Sequence, residues 1–328
     1  MTYRWLAGCL LALFATTAHA ETKELRLGIQ FGTAMLPLMV MQHDHLIEKR
    51  AAAAGLADLA VTWRAFTGPG PVNDGMLAGA LDVGVNGAPA ILILWDKTKG
   101  KMKGLASVSG NPSTLVSRNP KVHSIKDFSE ADRIALPAVK LGLNAIILQM
   151  AAAKEFGPDQ WERLDARTVT MGHADALTAM LSGASDINAH FSQPPYSTLE
   201  VKAGQREILK ARDVLGAGWD MLLFTSQGFH DANPKTMAAL MDALQEGMDS
   251  IHRDPRAAAQ LYLDMSGDKK TSVDEIVTLI TDPDTDYNRA PHSVMRFADF
   301  MHGIGTIKTQ PKDWKEVFFP EAYGLAGR

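Results

Sequence analysis

Short apolar runs alternate along the chain with longer stretches in which apolar residues recur every three or four positions. That alternation predicts βα units built around largely parallel sheets. Residues 25–30 read as a first strand, followed by Phe31, Gly32 and Thr33 and then a long helix over about 34–54, with Pro37 in its first turn. Residues 59–66 form the next expected strand, 67–71 a loop of Gly and Pro, 72–77 a helix, 82–86 a strand and 88–99 a helix. Strands at 105–109 and 113–118 flank a turn at Asn111-Pro112.

The order then begins again. A short helix over 124–128 carries a capping-box pair, Ser124 and Asp127. A strand at 133–136, a helix over 143–156 stopped by Gly157-Pro158, a strand at 168–171 and a helix over 174–181 follow. Residues 186–189 are an expected strand, 196–203 a helix and 221–225 a last apolar run. Everything beyond is helical, with starts at Asn233-Pro234, Asp254-Pro255 and the Ser272/Glu275 box. Leu77-Ala78-Gly79-Ala80-Leu81-Asp82 is echoed by Leu181-Ser182-Gly183-Ala184-Ser185-Asp186, each between an Ala/Met-rich helix and a short strand. Gly in such a place takes the left-handed position that ends a helix, and Asp opens the turn into the strand. Two similar α/β lobes are therefore expected: 21–109 with 226–328, and 110–225. The chain would cross between them near Gly110-Asn111-Pro112 and near Ser226-Gln227-Gly228.

The N-terminus adds a compartment. Arg4, the apolar run 5–14 and Ala18-His19-Ala20 are the three parts of a secretory signal peptide, and the run is too short to span a bilayer. Leu6-Ala7-Gly8-Cys9 is similar to a lipoprotein box, but most of the apolar run follows Cys9 instead of preceding it. Cleavage after Ala20 and a periplasmic location are the expectation. Cys9 is the single cysteine, so its removal leaves no thiol or disulfide chemistry. Lys and Arg number 33 against 37 Asp and Glu, with no basic block, which argues against nucleic acid as a partner.

Leu27-Gly28-Ile29-Gln30, Phe66-Thr67-Gly68 and the run from Leu77 to Gly84 resemble the N-terminal lobe of periplasmic solute-binding proteins of ABC importers. The nitrate/sulfonate/taurine-type group, related to binding proteins for thiamine pyrimidine precursors, is the most similar. Ser124-Ile125-Lys126-Asp127-Phe128 and Ile134-Ala135-Leu136-Pro137 resemble the start of that family's second lobe, and residues 175–186 its helix–Gly–Asp repeat. The likeness runs from about 25 to 223. It implies a two-lobed α/β fold of the periplasmic-binding-protein-like (type II) kind, each lobe a mixed sheet flanked by helices, with a ligand cleft between. It also implies a monomer without cofactor that captures a small organic or inorganic anion (sulfonate, taurine, nitrate or carboxylate) and delivers it to ABC permease and ATPase subunits. Two departures stand out. Pro137 to Gly142 replaces the Gly-Ser/Thr that family members often carry after the strand, and the cysteine-rich motif of the pyrimidine-synthesising relatives is missing. An exported enzyme acting on a small heterocycle, or a ligand sensor, are the alternatives on the same fold.

Ligands of doubly wound folds sit beyond the carboxyl ends of parallel strands, where helix N-termini offer unpaired N–H groups to anions. The residues so placed are Gln30, Phe31, Thr33, Gly68, Asn86, Gly87, Lys140, His190, Phe191 and Gln193, with Asn144 and Trp219 as further candidate ligand contacts. Lys140 is the cation among these loops. Phe31, Phe191, Tyr196 and Trp219 are candidates for an aromatic wall, and Gln30, Asn86, Asn144, Asn188 and Gln193 for uncharged hydrogen bonds. No catalytic or metal site is expected: H-E-x-x-H and G-x-S-x-G motifs are absent, and His43 and His45 at i, i+2 on a helix point apart. His173 and His190 read as structural, and 282–286 as a solvated turn.

Overall fold

The computed structural model describes residues 21–216 and 219–327; the expected leader, including Cys9 and the cleavage site after Ala20, lies outside them. The chain opens with β1 (Glu24–Ile29), α1 (Leu36–His43), α2 (Leu46–Ala53), β2 (Ala60–Ala65), α3 (Pro69–Leu77), β3 (Val83–Gly87), α4 (Ala88–Lys97) and β4 (Met102–Ser109). It continues with β5 (Thr114–Ser117), β6 (Ile134–Leu136), α5 (Leu143–Phe156), β7 (Thr168–Thr170), α6 (His173–Ser182), β8 (Ala189–Ser192), α7 (Tyr196–Lys202), β9 (Arg206–Lys210) and α8 (Ala211–Leu215). It closes with β10 (Met221–Ser226), α9 (Gln227–Ala232), α10 (Pro234–Arg253), α11 (Pro255–Ser266), α12 (Val273–Ile280) and α13 (Val294–Gly303).

The strands form two five-stranded mixed sheets of matching order, β2-β1-β3-β10-β4 and β7-β6-β8-β5-β9. In the first, β1 pairs in parallel with β2 and β3, and β10 runs antiparallel to β3 and β4. In the second, β6 pairs in parallel with β7 and β8, and β5 runs antiparallel to β8 and β9. The sequence echo is thus an architectural one: α3–β3 and α6–β8 occupy corresponding places, and Gly79 and Gly183 share a left-handed φ of 68°. Asp82 after the first Gly accepts from the Arg26 backbone amide at 2.9 Å and from its guanidinium at 2.7 Å, fastening the turn to β1.

Four expectations need correction. Met221–Ser226 does not close the second sheet; it lies in the first, between β3 and β4. The second crossing therefore precedes Met221, and Gly228 sits in α9 instead of at a hinge. A run buried on both faces fits the middle of either sheet, so its pattern does not say which. The expected helix over 34–54 is two helices, broken at His45, whose φ of 52° is left-handed. The expected strand at 186–189 lies at Ala189–Ser192. Finally, β9 and α8 had no counterpart: Arg206-Glu207-Ile208-Leu209-Lys210 is a charged edge strand that reads as solvent-exposed chain.

Two large apolar cores result. One packs β1, β3 and β4 against α1, α10, α11 and α12, through Leu27, Leu36, Leu240 and Tyr262. The other runs from sheet to sheet: Leu222 and Phe224 of β10 and Ile91 of α4 join Ile146 of α5, Leu136 and Phe191 of the second sheet, and Phe297 and Met301 of α13. The C-terminal segment also braces both crossings. Gly110 and Asp286 exchange two 2.7 Å backbone hydrogen bonds, the Arg296 guanidinium donates to the Leu215 carbonyl, and the His292 amide donates to Asp220.

Candidate ligand cleft

Between the two sheets lies a cavity of about 500 Å³. The first sheet and its helices supply Gln30, Phe31, Gly32, Thr67, Pro69, Gly87, Met39 and Gln42; the second supplies Pro137, Gly142, Leu143, Asn144, Gly172, His173, Asp175, Gln193 and Tyr196. Tyr262, Met265 and Ser266 of α11 complete the wall.

Four helices start at this cavity, and each is preceded by glycine: Gly68 before α3, Gly87 before α4, Gly142 before α5 and Gly172 before α6, none with a side-chain cap. Side-chain caps do occur elsewhere, on α9 through Ser226, α11 through Asp254 and α12 through Ser272, though not on every helix. The amides of a first helical turn have no intrahelical acceptor. Without a capping oxygen, those of α5 and α6 are left for whatever enters the cleft. Glycine also allows the walls to meet. A Cβ on Gly68 would lie 2.9 Å from the Pro137 carbonyl oxygen, and one on Gly87 2.9 Å from Leu143 Cβ, both across the cleft.

Among the described residues no lysine or arginine lines the cavity, and Asp175 is the one carboxyl side chain in its wall. Gln30 donates through Nε2 to Asn86 Oδ1 at 2.8 Å and to the Val85 carbonyl at 3.0 Å, so it can offer a ligand Oε1, an acceptor. Asn86, fully buried, passes the chain on to Asn73 at 2.6 Å. Asn144 is used at both ends, donating to the Phe191 carbonyl at 2.7 Å and accepting from Ser113 at 3.2 Å.

Behind the wall formed by α6 lies a buried chain of titratable groups. His173 Nδ1 is 2.8 Å from His190 Nε2, and His190 Nδ1 is 2.6 Å from Glu200 Oε1. Tyr196 stacks on the His173 ring with centroids 5.5 Å apart. Burial pushes Glu200 up to about 8 and His190 down to about 3. It also holds His173 well below the usual imidazole range, with His190 adding to the effect. Each shift favours the neutral form of the group.

The structure brings five of the twelve expected residues to the cavity: Gln30, Phe31, Gly87, Asn144 and Gln193, with Phe31 half exposed at its mouth. The other seven lie elsewhere. Asn86 and His190 stand behind the wall as buried partners of Gln30 and His173. Thr33 is buried, donating to the Pro194 carbonyl at 3.2 Å, and Gly68 is a contact between the two walls. Phe191 and Trp219 belong to the apolar core. Lys140, in a left-handed turn with φ 64°, is carried to a separate depression beside Asp159, Glu162, Arg163 and Asp165. Of the residues weighed as structural, His173 lines the cavity, whereas Tyr196 takes the wall position foreseen for it. Asp175, Tyr262 and Met265 were not foreseen; those of α11 sit on a helix whose spacing signals only packing.

The sequence profile of the NMT1-like family matches residues 18–262. The chain belongs to the NMT1-like family. No curated protein matches this NMT1-like sequence. Among solved structures, the alkanesulfonate-binding protein SsuA of Xanthomonas axonopodis pv. citri, bound to MOPS, is 19% identical and superposes with a TM-score of 0.69. The match covers 92% of the NMT1-like chain and 98% of SsuA. The periplasmic nitrate-binding protein NrtA of Synechocystis PCC 6803 is 16% identical, with a TM-score of 0.66 over 86% of this chain and 81% of its own. The Candida albicans CA3427 product, described as having the generic periplasmic binding protein fold, gives 0.65 at 11% identity, over 88% and 92%. The NMT1-like protein has that two-lobed α/β fold, as the resemblance in its sequence implies.

Proposed function

We propose that this NMT1-like protein is an extracytoplasmic solute-binding protein that encloses a small organic acid between its lobes and presents it to an ABC import permease. The observation that carries the reading is the cavity itself, about 500 Å³, with both lobes in its wall and the uncapped amides of α5 and α6 facing it. Its size lies within the ~300–1,000 Å³ range of small-molecule sites. A ligand favours closure only by touching both lobes, because equal affinity for open and closed states shifts nothing. Apolar lining from Phe31, Met39, Leu143 and Met265 suits a carbon skeleton, and helix amides and neutral hydrogen-bonding groups suit its acidic end. This favours an alkyl or aryl sulfonate or carboxylate over nitrate. The names of SsuA and NrtA, binding proteins of the same fold, support the general role. Removal of a leader after Ala20, a periplasmic location and a monomeric state belong to the same reading.

The test is a panel of sulfonates, carboxylates, nitrate and pyrimidines, read by calorimetry and solution scattering. An organic acid should bind without being consumed and should lower the radius of gyration. An unchanged scattering profile at saturation removes the clamp, and depletion of a heterocycle would establish the enzyme alternative instead.

A further inference from the structure

Taking the cleft as the ligand site, we propose that the proton on Glu200 determines, through His190, whether His173 offers the cleft a hydrogen-bond donor or an acceptor. The chain Glu200 Oε1 – His190 Nδ1 and His190 Nε2 – His173 Nδ1, at 2.6 and 2.8 Å, occupies three of the four ring nitrogens. It leaves Nε2 of His173 as the nitrogen available to the cavity that His173 lines. A neutral imidazole carries one proton, so each bond in the chain fixes the direction of the next.

With Glu200 protonated, its O–H donates to His190 Nδ1, His190 Nε2–H donates to His173 Nδ1, and His173 presents Nε2–H. The 2.6 Å contact places the acceptor for the acid proton at His190 Nδ1, and the Ser192 hydroxyl is the other group beside the carboxyl. With Glu200 ionised, His190 Nδ1–H donates to the carboxylate, His173 Nδ1–H donates to His190 Nε2, and His173 Nε2 is bare. Passing between the two states moves three protons by one hop each. The Glu200 proton goes to His190 Nδ1, the His190 Nε2 proton to His173 Nδ1, and the His173 Nε2 proton out to the cleft. Both rings stay neutral throughout and the single negative charge ends on Glu200.

Few other groups compete for control of this chain; on β8 itself Ser192 can donate to Glu200 and so favours its ionised form, against the larger effect of burial. From α7 comes Tyr196, stacked on His173, and from α6 Asp175. Across the cavity are Tyr262 and, near both tyrosines, Asp268. β5 and β6, which flank β8, contribute no charged side chain, and Lys202 of α7 pairs with Glu275. Burial favours the neutral acid, because an ionised carboxyl there is cut off from water and the Ser192 hydroxyl offsets only part of that cost. The resting cleft therefore presents a donor, matched to a carboxylate or sulfonate oxygen. Such a ligand requires the proton on Glu200, so its affinity falls by about tenfold per pH unit above the Glu200 titration.

The test needs no ligand. Nitrogen-15 spectra of the full, ligand-free protein report which ring nitrogen of each histidine is protonated. On passing upward through about pH 8, where Glu200 titrates, His173 and His190 should exchange together from the Nε2–H to the Nδ1–H tautomer. In Glu200→Gln, which has no proton to lose, both should keep one tautomer across the same range. Tautomers that stay fixed in the wild type, that change at separate pH values, or that still change in Glu200→Gln overturn the proposal. Failure to find any bound acid would overturn the proposed function while leaving this readout intact.

Discussion

Gly68 shows how little of a residue's role is visible in its type. Its φ of −178° is extended backbone open to any residue, so space, not conformation, demands glycine: Pro137 of the other lobe stands 2.9 Å from where a Cβ would be. Gly68→Val should hold the lobes apart, lowering affinity for the bound acid at least about tenfold, which is about 1.4 kcal/mol. The fold of each lobe should be untouched. Calorimetry, with scattering to show that ligand no longer compacts the protein, checks this; wild-type affinity would mean that the contact plays no part in closure. Polar residues at strand ends are legible as cavity-lining because strand ends and helix starts converge there, as Gln30, Asn144 and Gln193 do. Their order in depth is not. Asn86 reads as a cleft residue and stands one layer behind the cavity wall, holding Gln30 through a 2.8 Å bond. Phe191 and Trp219 read as an aromatic wall and lie in the core; Phe191 is on a strand buried on both faces, which carries no alternation to separate the two. Lys140 was placed by its loop, and the loop's left-handed turn sends its side chain elsewhere. His173 was read as structural because nothing in sequence brings His190 and Glu200 to it.

Elements were more legible than residues wherever their ends carry chemistry. The bounds of α5 follow from Gly142 and Gly157, and the start of α12 from its capping box. There Ser272 Oγ accepts from the Glu275 amide at 3.3 Å while Glu275 Oε2 accepts from the Ser272 amide at 2.7 Å. Ser272→Ala should cost about 1 kcal/mol of stability, read by urea unfolding, and leave ligand affinity unchanged. An unaltered unfolding midpoint would show that water replaces the box at no cost. Elements without such punctuation slipped. His45 breaks a helix with no Gly or Pro to announce it, and β9 hides its edge position behind Arg206, Glu207 and Lys210, charges that suit an edge strand.

At the scale of the molecule, the two-lobed plan was legible because the chain repeats it, down to the paired Gly79 and Gly183. Assignment of Met221–Ser226 was not, because strand pairing over more than a hundred residues leaves no local trace. That strand has a consequence for the order in which the protein is made. The second sheet is complete within residues 114–210, whereas the first has a gap between β3 and β4 that only β10 fills. Contacts so distant in sequence form slowly, since a long loop must close before they are rewarded. The later-numbered lobe should therefore mature first, and the N-terminal one should wait, unfinished, for the last strand to arrive. Pulse-labelled hydrogen exchange during refolding should find amides of β5–β9 protected before those of β1–β4; the reverse order would refute this. A chain so arranged delays its own completion until more than two thirds of it has been delivered.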